Sequence, residues 1–145
     1  MTHEGEHLPL SQDAALVVGL VGTALPFAHS AEDEAERWLR ALRLHGQVGA
    51  ALQALGVGEA SLMTGSEPEP DAPAGRPPFG PDVLEDVTGR ATSFALAREA
   101  DTVGTADVFF AVLDVYGQLF DRALYLRGTS RAELVERLTA AAARG

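Results

Sequence analysis

The first residues able to do chemistry are His3-Glu4-Gly5-Glu6-His7, which spell His-Glu-x-x-His. On a helix, histidines four apart share a face and can hold zinc, with the glutamate acting as base on the metal-bound water. The surroundings argue against that use. Gly5 sits at the centre, Pro9 follows, no apolar helix precedes the motif, and no third ligand stands out. The expectation is no catalytic residue, no metal and no other cofactor, hence no enzyme. A small metal-dependent hydrolase built on this segment is the alternative. The serines offer no better nucleophile: Ser11, Ser30, Ser93 and Ser130 have no histidine nearby in sequence, and three of them read as helix caps. The chain has no lysine, so a Gly-x-x-x-x-Gly-Lys-Ser/Thr phosphate loop cannot exist, and no cysteine, so thiol chemistry and disulfides are excluded.

The overall charge narrows the partners. Net charge is −10 over 145 residues, and the pI is about 4.7. Such a field repels nucleic-acid backbones and anionic membranes, so neither is expected as a partner. The apolar fraction of 46% is ordinary for a folded domain. All basic residues are arginine, and Lys, Ile and Asn are absent, as a GC-rich bacterial coding bias would produce. The polar, acidic start of the chain lacks a secretory basic region, and the apolar run 14–27 is too short to span a bilayer. A cytoplasmic location is expected.

Helices must position whatever site exists. Ser11 reads as a cap for an apolar helix over 14–24, and Ser30 as a cap for an amphipathic helix ended by Gly46. In that helix Ala35, Trp38, Leu39 and Leu42 form one stripe. A short helix over 48–55 follows, and one further turn over 59–64. Residues 65–80, with Pro68, Pro70, Pro73, Pro77 and Pro78, read as a linker. The second half predicts helices over 81–100, 106–116 (capped by Thr105), 118–126 and, after a Ser130/Glu133 capping box, to about Ala143. No strand is expected. Trp38, Phe109 and Phe110 read as core, and His45 as half-buried.

The two halves look alike. Gly46-Gln47 recurs as Gly117-Gln118, 71 positions on. At that shift Ala24-Leu25 falls on Ala95-Leu96, Ala35 on Ala106, Leu42 on Leu113 and Leu55 on Leu126. An ungapped repeat of a helical unit points to a scaffold with a binding surface.

The residues from about Ser11 onward resemble the N-terminal domain of the Clp unfoldases. That family carries a Gly-Thr-Glu-His-Leu-Leu-Leu-Ala-Leu-Leu-like stretch in each repeat, then a glycine, a short helix and Leu-Gly-Val. Val103-Gly104-Thr105-Ala106-Asp107-Val108-Phe109-Phe110-Ala111-Val112-Leu113 is similar to it, as are Ala35 to Leu42 and Gln53-Ala54-Leu55-Gly56-Val57. The resemblance implies an all-α fold of two tandem four-helix repeats with pseudo-twofold symmetry, repeats 11–64 and 81–145 joined by the linker 65–80; residues 1–10 are expected to be a disordered tail. It implies a non-enzymatic protein- or peptide-binding module: an adaptor, decoy or ligand sink in Clp-dependent proteolysis. Its partners would be a Clp complex, an adaptor, a degron or a small cyclic peptide. A diverged structural domain without ligand is a further alternative. In some members the motif glutamate helps bind phosphorylated arginine. Here the Glu-His pair is replaced by Ala35-Glu36 and Ala106-Asp107. The candidate contact residues are Phe27, Phe79, Glu36 and Asp107. Phe27 and Phe79 stand at segment edges, where an apolar groove would open. Glu36 and Asp107, as helix-start carboxylates, are otherwise expected to be solvated.

Overall fold

A computed structural model describes residues 8–56, 80, 82–126 and 128–144. Ser11 starts the first helix: its Oγ accepts the Ala14 N–H at 3.1 Å. This helix, α1 (Gln12–Ala24), runs into a 3-10 turn at Leu25–Phe27. Then come α2 (Ala31–Leu44) and α3 (Gly46–Ala54) in the first half, and α4 (Asp82–Ala97), α5 (Thr105–Tyr116), α6 (Gln118–Leu126) and α7 (Arg131–Arg144) in the second. The described residues are all helical apart from connections and contain no strand. A single parallel bridge joins Leu10 to Val103. No helix is long and apolar enough to cross a membrane among these residues. The expected turn at 59–64, nearly all of the linker, and the His3–His7 motif lie outside the described residues.

Side-chain caps start three of the helices, α1, α2 and α7. Ser30 accepts the Asp33 N–H at 3.1 Å, and the Asp33 carboxylate accepts the N–H of His29, the residue before the cap, at 3.0 Å. Ser130 accepts the Glu133 N–H at 3.2 Å. Thr105 does not cap, contrary to the sequence expectation. Gly104 occupies the cap position, and Thr105 is the first helical residue, 4% exposed. Its hydroxyl is drawn inward by packing, and lies 3.5 Å from the Val48 nitrogen at the start of α3. The same approach explains Gly46. Its φ is +75°, and a Cβ there would sit 2.6 Å from Thr105 Oγ1. Gly117, between α5 and α6, also has a positive φ, +55°. The recurring glycine is thus a recurring left-handed turn between the second and third helices of each half.

The core lies between the halves. α2 packs on α1, α3, α5 and α6, while α5 packs on α4, α6, α3 and α1. Trp38, Leu39, Leu42, Phe109, Val112 and Phe120 are fully buried there. Trp38 and Phe109 sit in the core as expected, and His45 is half-buried at the α2–α3 junction. Phe110 is only half-buried.

No single shift brings the buried stripes into register. Val17, Val21 and Leu25 fall on Val87, Ala91 and Ala95 at a shift of 70. Ala35, Trp38, Leu39 and Leu42 fall on Phe109, Val112, Leu113 and Tyr116 at 74, and Val48, Ala51 and Leu52 on Phe120, Ala123 and Leu124 at 72. The ungapped shift of 71 holds at the glycine turn and pairs buried Trp38 with Phe109 and Leu42 with Leu113, but sets buried Ala35 and Leu39 on half-buried Ala106 and Phe110. For the α2–α5 pair a shift of 70 also works, laying Ala35, Trp38, Leu39, Ala41 and Leu42 on buried Thr105, Val108, Phe109, Ala111 and Val112, because 70 and 74 differ by about one helical turn. The counterpart of Asp107 is Asp33 at the shift of 74 and Arg37 at 70.

A buried polar chain crosses the core. The indole Nε1–H of Trp38 donates to the Tyr116 hydroxyl at 3.0 Å, and that hydroxyl donates to Glu34 Oε1 at 3.2 Å. Glu34 is 1% exposed. Burial pushes the Tyr116 hydroxyl well above the usual phenol range, and the charge of Glu34 pushes it further. Replacing Tyr116 with phenylalanine removes an acceptor from Trp38 and a donor from Glu34. It is expected to cost about 1–3 kcal/mol in urea unfolding. Because folding raises this pKa, the contribution is complete below pH about 10 and is lost as pH rises beyond it. In a Tyr125→Phe background, tyrosinate absorbance should therefore appear together with loss of helical circular dichroism. Ionisation of the folded state would contradict this.

Candidate functional site

The amphipathic phase of α4 sets up the site. Its inward stripe is Val83, Val87, Ala91 and Ala95. Phe94 stands off that stripe and is 39% exposed. Four residues on, one helical turn away, comes Arg98. Both face α5, whose N-terminal turn presents Ala106, Asp107 and Phe110. Leu138 and Thr139 from α7 and Gln47 from α3 close the far side. Together with Gly104 these residues line a groove of about 430 Å³. That volume lies within the range of small-ligand and peptide side-chain sites.

Aromatic rings form the apolar wall. Phe94 and Phe110 lie 6.2 Å apart at 54°. Phe110 continues to Phe109 at 5.3 Å, and Phe109 to Phe120 at 6.0 Å. A ladder of tilted rings therefore runs from the groove into the core. Movement of the outer rings is restricted by packing on the inner ones.

The polar wall is an ion pair with one buried end. Arg98 donates through Nε to Asp107 Oδ1 at 2.9 Å and through Nη2 to Oδ2 at 2.5 Å. Asp107 Oδ2 also accepts the Gly104 N–H at 2.9 Å. Asp107 is thus the third residue of α5 reaching back to its cap, a half capping box, since glycine has no side chain to reciprocate. The Asp107 side chain is 3% exposed, that of Arg98 54%. Hydrogen bonding to Asp107 raises the pKa of Arg98 above its already high ordinary value, so it stays charged. A guanidinium has five N–H donors, and Asp107 takes two. The rest belong to a half-exposed side chain that lines the groove, and can meet a carbonyl or carboxylate.

The sequence candidates do not converge. Asp107 lines this groove, but as the buried anchor of Arg98 and not as a solvated carboxylate. Burial and the Arg98 pair override the expected exposure of a helix start. Glu36 is half-buried on α2 and Phe27 is 69% exposed in the 3-10 turn; neither lines this groove. Phe79 lies outside the described residues. The residues that sequence reading missed are Phe94, Arg98 and Leu138. Phe94 carried a usable signal: it is a large aromatic one position off an otherwise regular apolar stripe. Leu138 carried none, because only the docking of α7 brings it to the groove.

The described residues contain no cluster of three or more His, Asp or Glu side chains that could hold a metal ion. No protein-family model matches the chain, and no curated protein matches it in sequence.

The half-buried pair allows a double-mutant test. Arg98→Met leaves the Asp107 carboxylate buried with a single backbone donor, and should cost about 1–3 kcal/mol by urea unfolding. Adding Asp107→Asn keeps an acceptor for Gly104 and removes the stranded charge. The double variant should recover part of that loss; a purely additive result would show that the pair is not coupled.

Proposed function

We propose that this chain is a non-enzymatic protein- or peptide-binding module of the Clp N-domain kind. In this reading residues 11–64 and 81–145 are two four-helix units joined by the linker 65–80. Three features support the tandem plan. Two longer helices followed by a nine-residue helix occur as α1–α3 and again as α4–α6. A glycine with positive φ joins the second helix to the third in both. Each second helix has an aspartate at its third position that accepts a backbone N–H at the cap or one residue before it and pairs with an arginine: Asp33 with Arg37, and Asp107 with Arg98.

The observation that carries the binding role is the groove between α4, α5 and α7. It presents an aromatic wall, an aliphatic side and a guanidinium with unused donors. This suits an apolar side chain in a peptide whose backbone carbonyls turn toward Arg98. It fits degron-type peptides and small cyclic peptides, and through them an adaptor, decoy or ligand-sink role in Clp-dependent proteolysis. Phosphorylated arginine is not the ligand in this reading. In the sequence resemblance Ala106, after Gly104-Thr105, stands where the family glutamate would be, and the carboxylate of Asp107 is already committed.

The test is fluorescence anisotropy with labelled apolar degron peptides, alongside degradation of a degron-tagged protein by a reconstituted Clp protease. Saturable peptide binding is expected, weakened about tenfold or more by Phe94→Ser. Added in excess, the chain should change the degradation rate, upward as an adaptor or downward as a decoy. Absence of both peptide binding and any effect on degradation would refute the reading.

A further inference from the structure

A second surface, independent of that groove, lies on the outer side of α1 and α2. Leu16, Leu20, Thr23 and Phe27 recur at intervals of four, three and four, which places them on one stripe. Leu16, Leu20 and Phe27 are exposed, as is Leu44 near the end of α2. These four are the majority of the exposed large hydrophobic side chains among the described residues. Between the helices opens a cleft of about 230 Å³, lined on one side by Leu20, Thr23 and Ala24, and on the other by Arg37, Arg40, Ala41 and Leu44. It is below the size of drug-like pockets and suits single side chains.

Charge selects the occupant. The chain carries −10 overall, yet the run Arg37-Trp38-Leu39-Arg40-Ala41-Leu42-Arg43-Leu44 contains three arginines and no acid. Several described arginines have a carboxylate partner: Arg37 holds Asp33, Arg90 holds Asp86 and Asp114, Arg98 holds Asp107, and Arg131 holds Asp121. Arg40, Arg122 and Arg137 are exposed and have no hydrogen bond or ion pair among the described residues. Arg122 shares its cleft with Glu32, and Arg137 with Glu133 and Glu136, whereas the cleft at Arg40 has no acid in its lining. An unpaired guanidinium therefore stands at the rim of an apolar cleft that offers it no carboxylate. The stripe from Leu16 to Phe27 covers twelve residues, along α1 and into the 3-10 turn, a length of about 16 Å or slightly more, enough for a partner helix to place anchors at i, i+4 and i+7.

We propose that this face docks an acidic amphipathic helix of a partner protein, its apolar anchors on the Leu16–Leu20–Phe27 stripe and its carboxylates on Arg40. Electrostatic complementarity makes the contact selective, and apolar burial holds it.

Three labelled peptides of about 15 residues, long enough for four helical turns, test this by anisotropy against the full chain. The first carries leucines at i, i+4 and i+7 with glutamates flanking them; the second replaces the glutamates with arginines; the third replaces the leucines with alanines. The first should bind, with the other two about tenfold weaker or more, and raising salt from about 0.05 to 0.3 M should weaken it. Arg40→Glu and Leu20→Ser, each confirmed folded by circular dichroism, should each cut its affinity by about tenfold, while Phe94→Ser leaves it unchanged. That last variant separates this face from the α4–α5–α7 groove. Equal binding of the acidic and basic peptides, no effect of Arg40→Glu, or no binding by any peptide would overturn the proposal. So would self-association in sedimentation velocity that Arg40→Glu abolishes, since the occupant would then be a second copy. An increase in acidic-peptide binding on deleting residues 57–79 would also overturn it, because the chain's own acidic segment would then hold the face.

Discussion

The hydroxyl of Tyr116 is the point on which the two halves of the molecule agree. It accepts from Trp38 and donates to Glu34, and these partners lie 78 and 82 positions away in the chain. A buried carboxylate with no donor costs several kcal/mol, and a buried indole N–H with no acceptor adds to that. The Tyr116 hydroxyl meets both. Hydrophobic contacts between leucines and alanines would tolerate many settings of α2 against α5. The polar chain narrows that freedom, because a turn of either helix breaks both bonds.

α5 serves two purposes at its two ends. Tyr116, its last residue, is fixed in the core. Asp107, in its first turn, holds Arg98 at the wall of the groove. Nine residues of helix separate them, about 13 Å. The aromatic ladder from Phe94 through Phe110 and Phe109 to Phe120 runs across the same helix. The groove is consequently built on a rigid element, whereas Phe27 projects from a single 3-10 turn. Such an arrangement gives the α4–α5–α7 groove the more defined shape and the α1–α2 face the more adaptable one.

Much of the fold was legible because helix signals are local. Ser11, Ser30 and Ser130 cap where their spacing said they would, and the stripe of Ala35, Trp38, Leu39 and Leu42 is buried as its period required. Thr105 was misread because its hydroxyl is recruited by Val48 across 57 positions, and tertiary packing outweighs the local cap preference. The register between the halves was misread for a related reason. Identity in an alanine-rich chain does not report helix phase, so Glu36 was paired with Asp107 where burial phase pairs Asp33 or, one turn on, Arg37. The candidate site was less legible still. Asp107 was singled out for the right place and the wrong state, since nothing in its neighbourhood announces that Arg98, from the preceding helix, will cover it. Leu138 reaches the groove only through the docking of α7, which no local pattern encodes.

The short bridge near the start of the chain couples distant parts of the molecule mechanically. Ser11 donates its N–H to the Val103 carbonyl and Val103 donates to the Pro9 carbonyl, both at 2.9 Å. Val103 is fully buried and adjoins Gly104, whose N–H is held by Asp107. Tension applied to residues 9–11 is therefore delivered to the loop that frames the groove, not dissipated in a loose end. A load on that segment pulls first on Val103 and next on the clamp between Gly104, Asp107 and Arg98. The grip of the groove and the tether at the front of the chain share one load path.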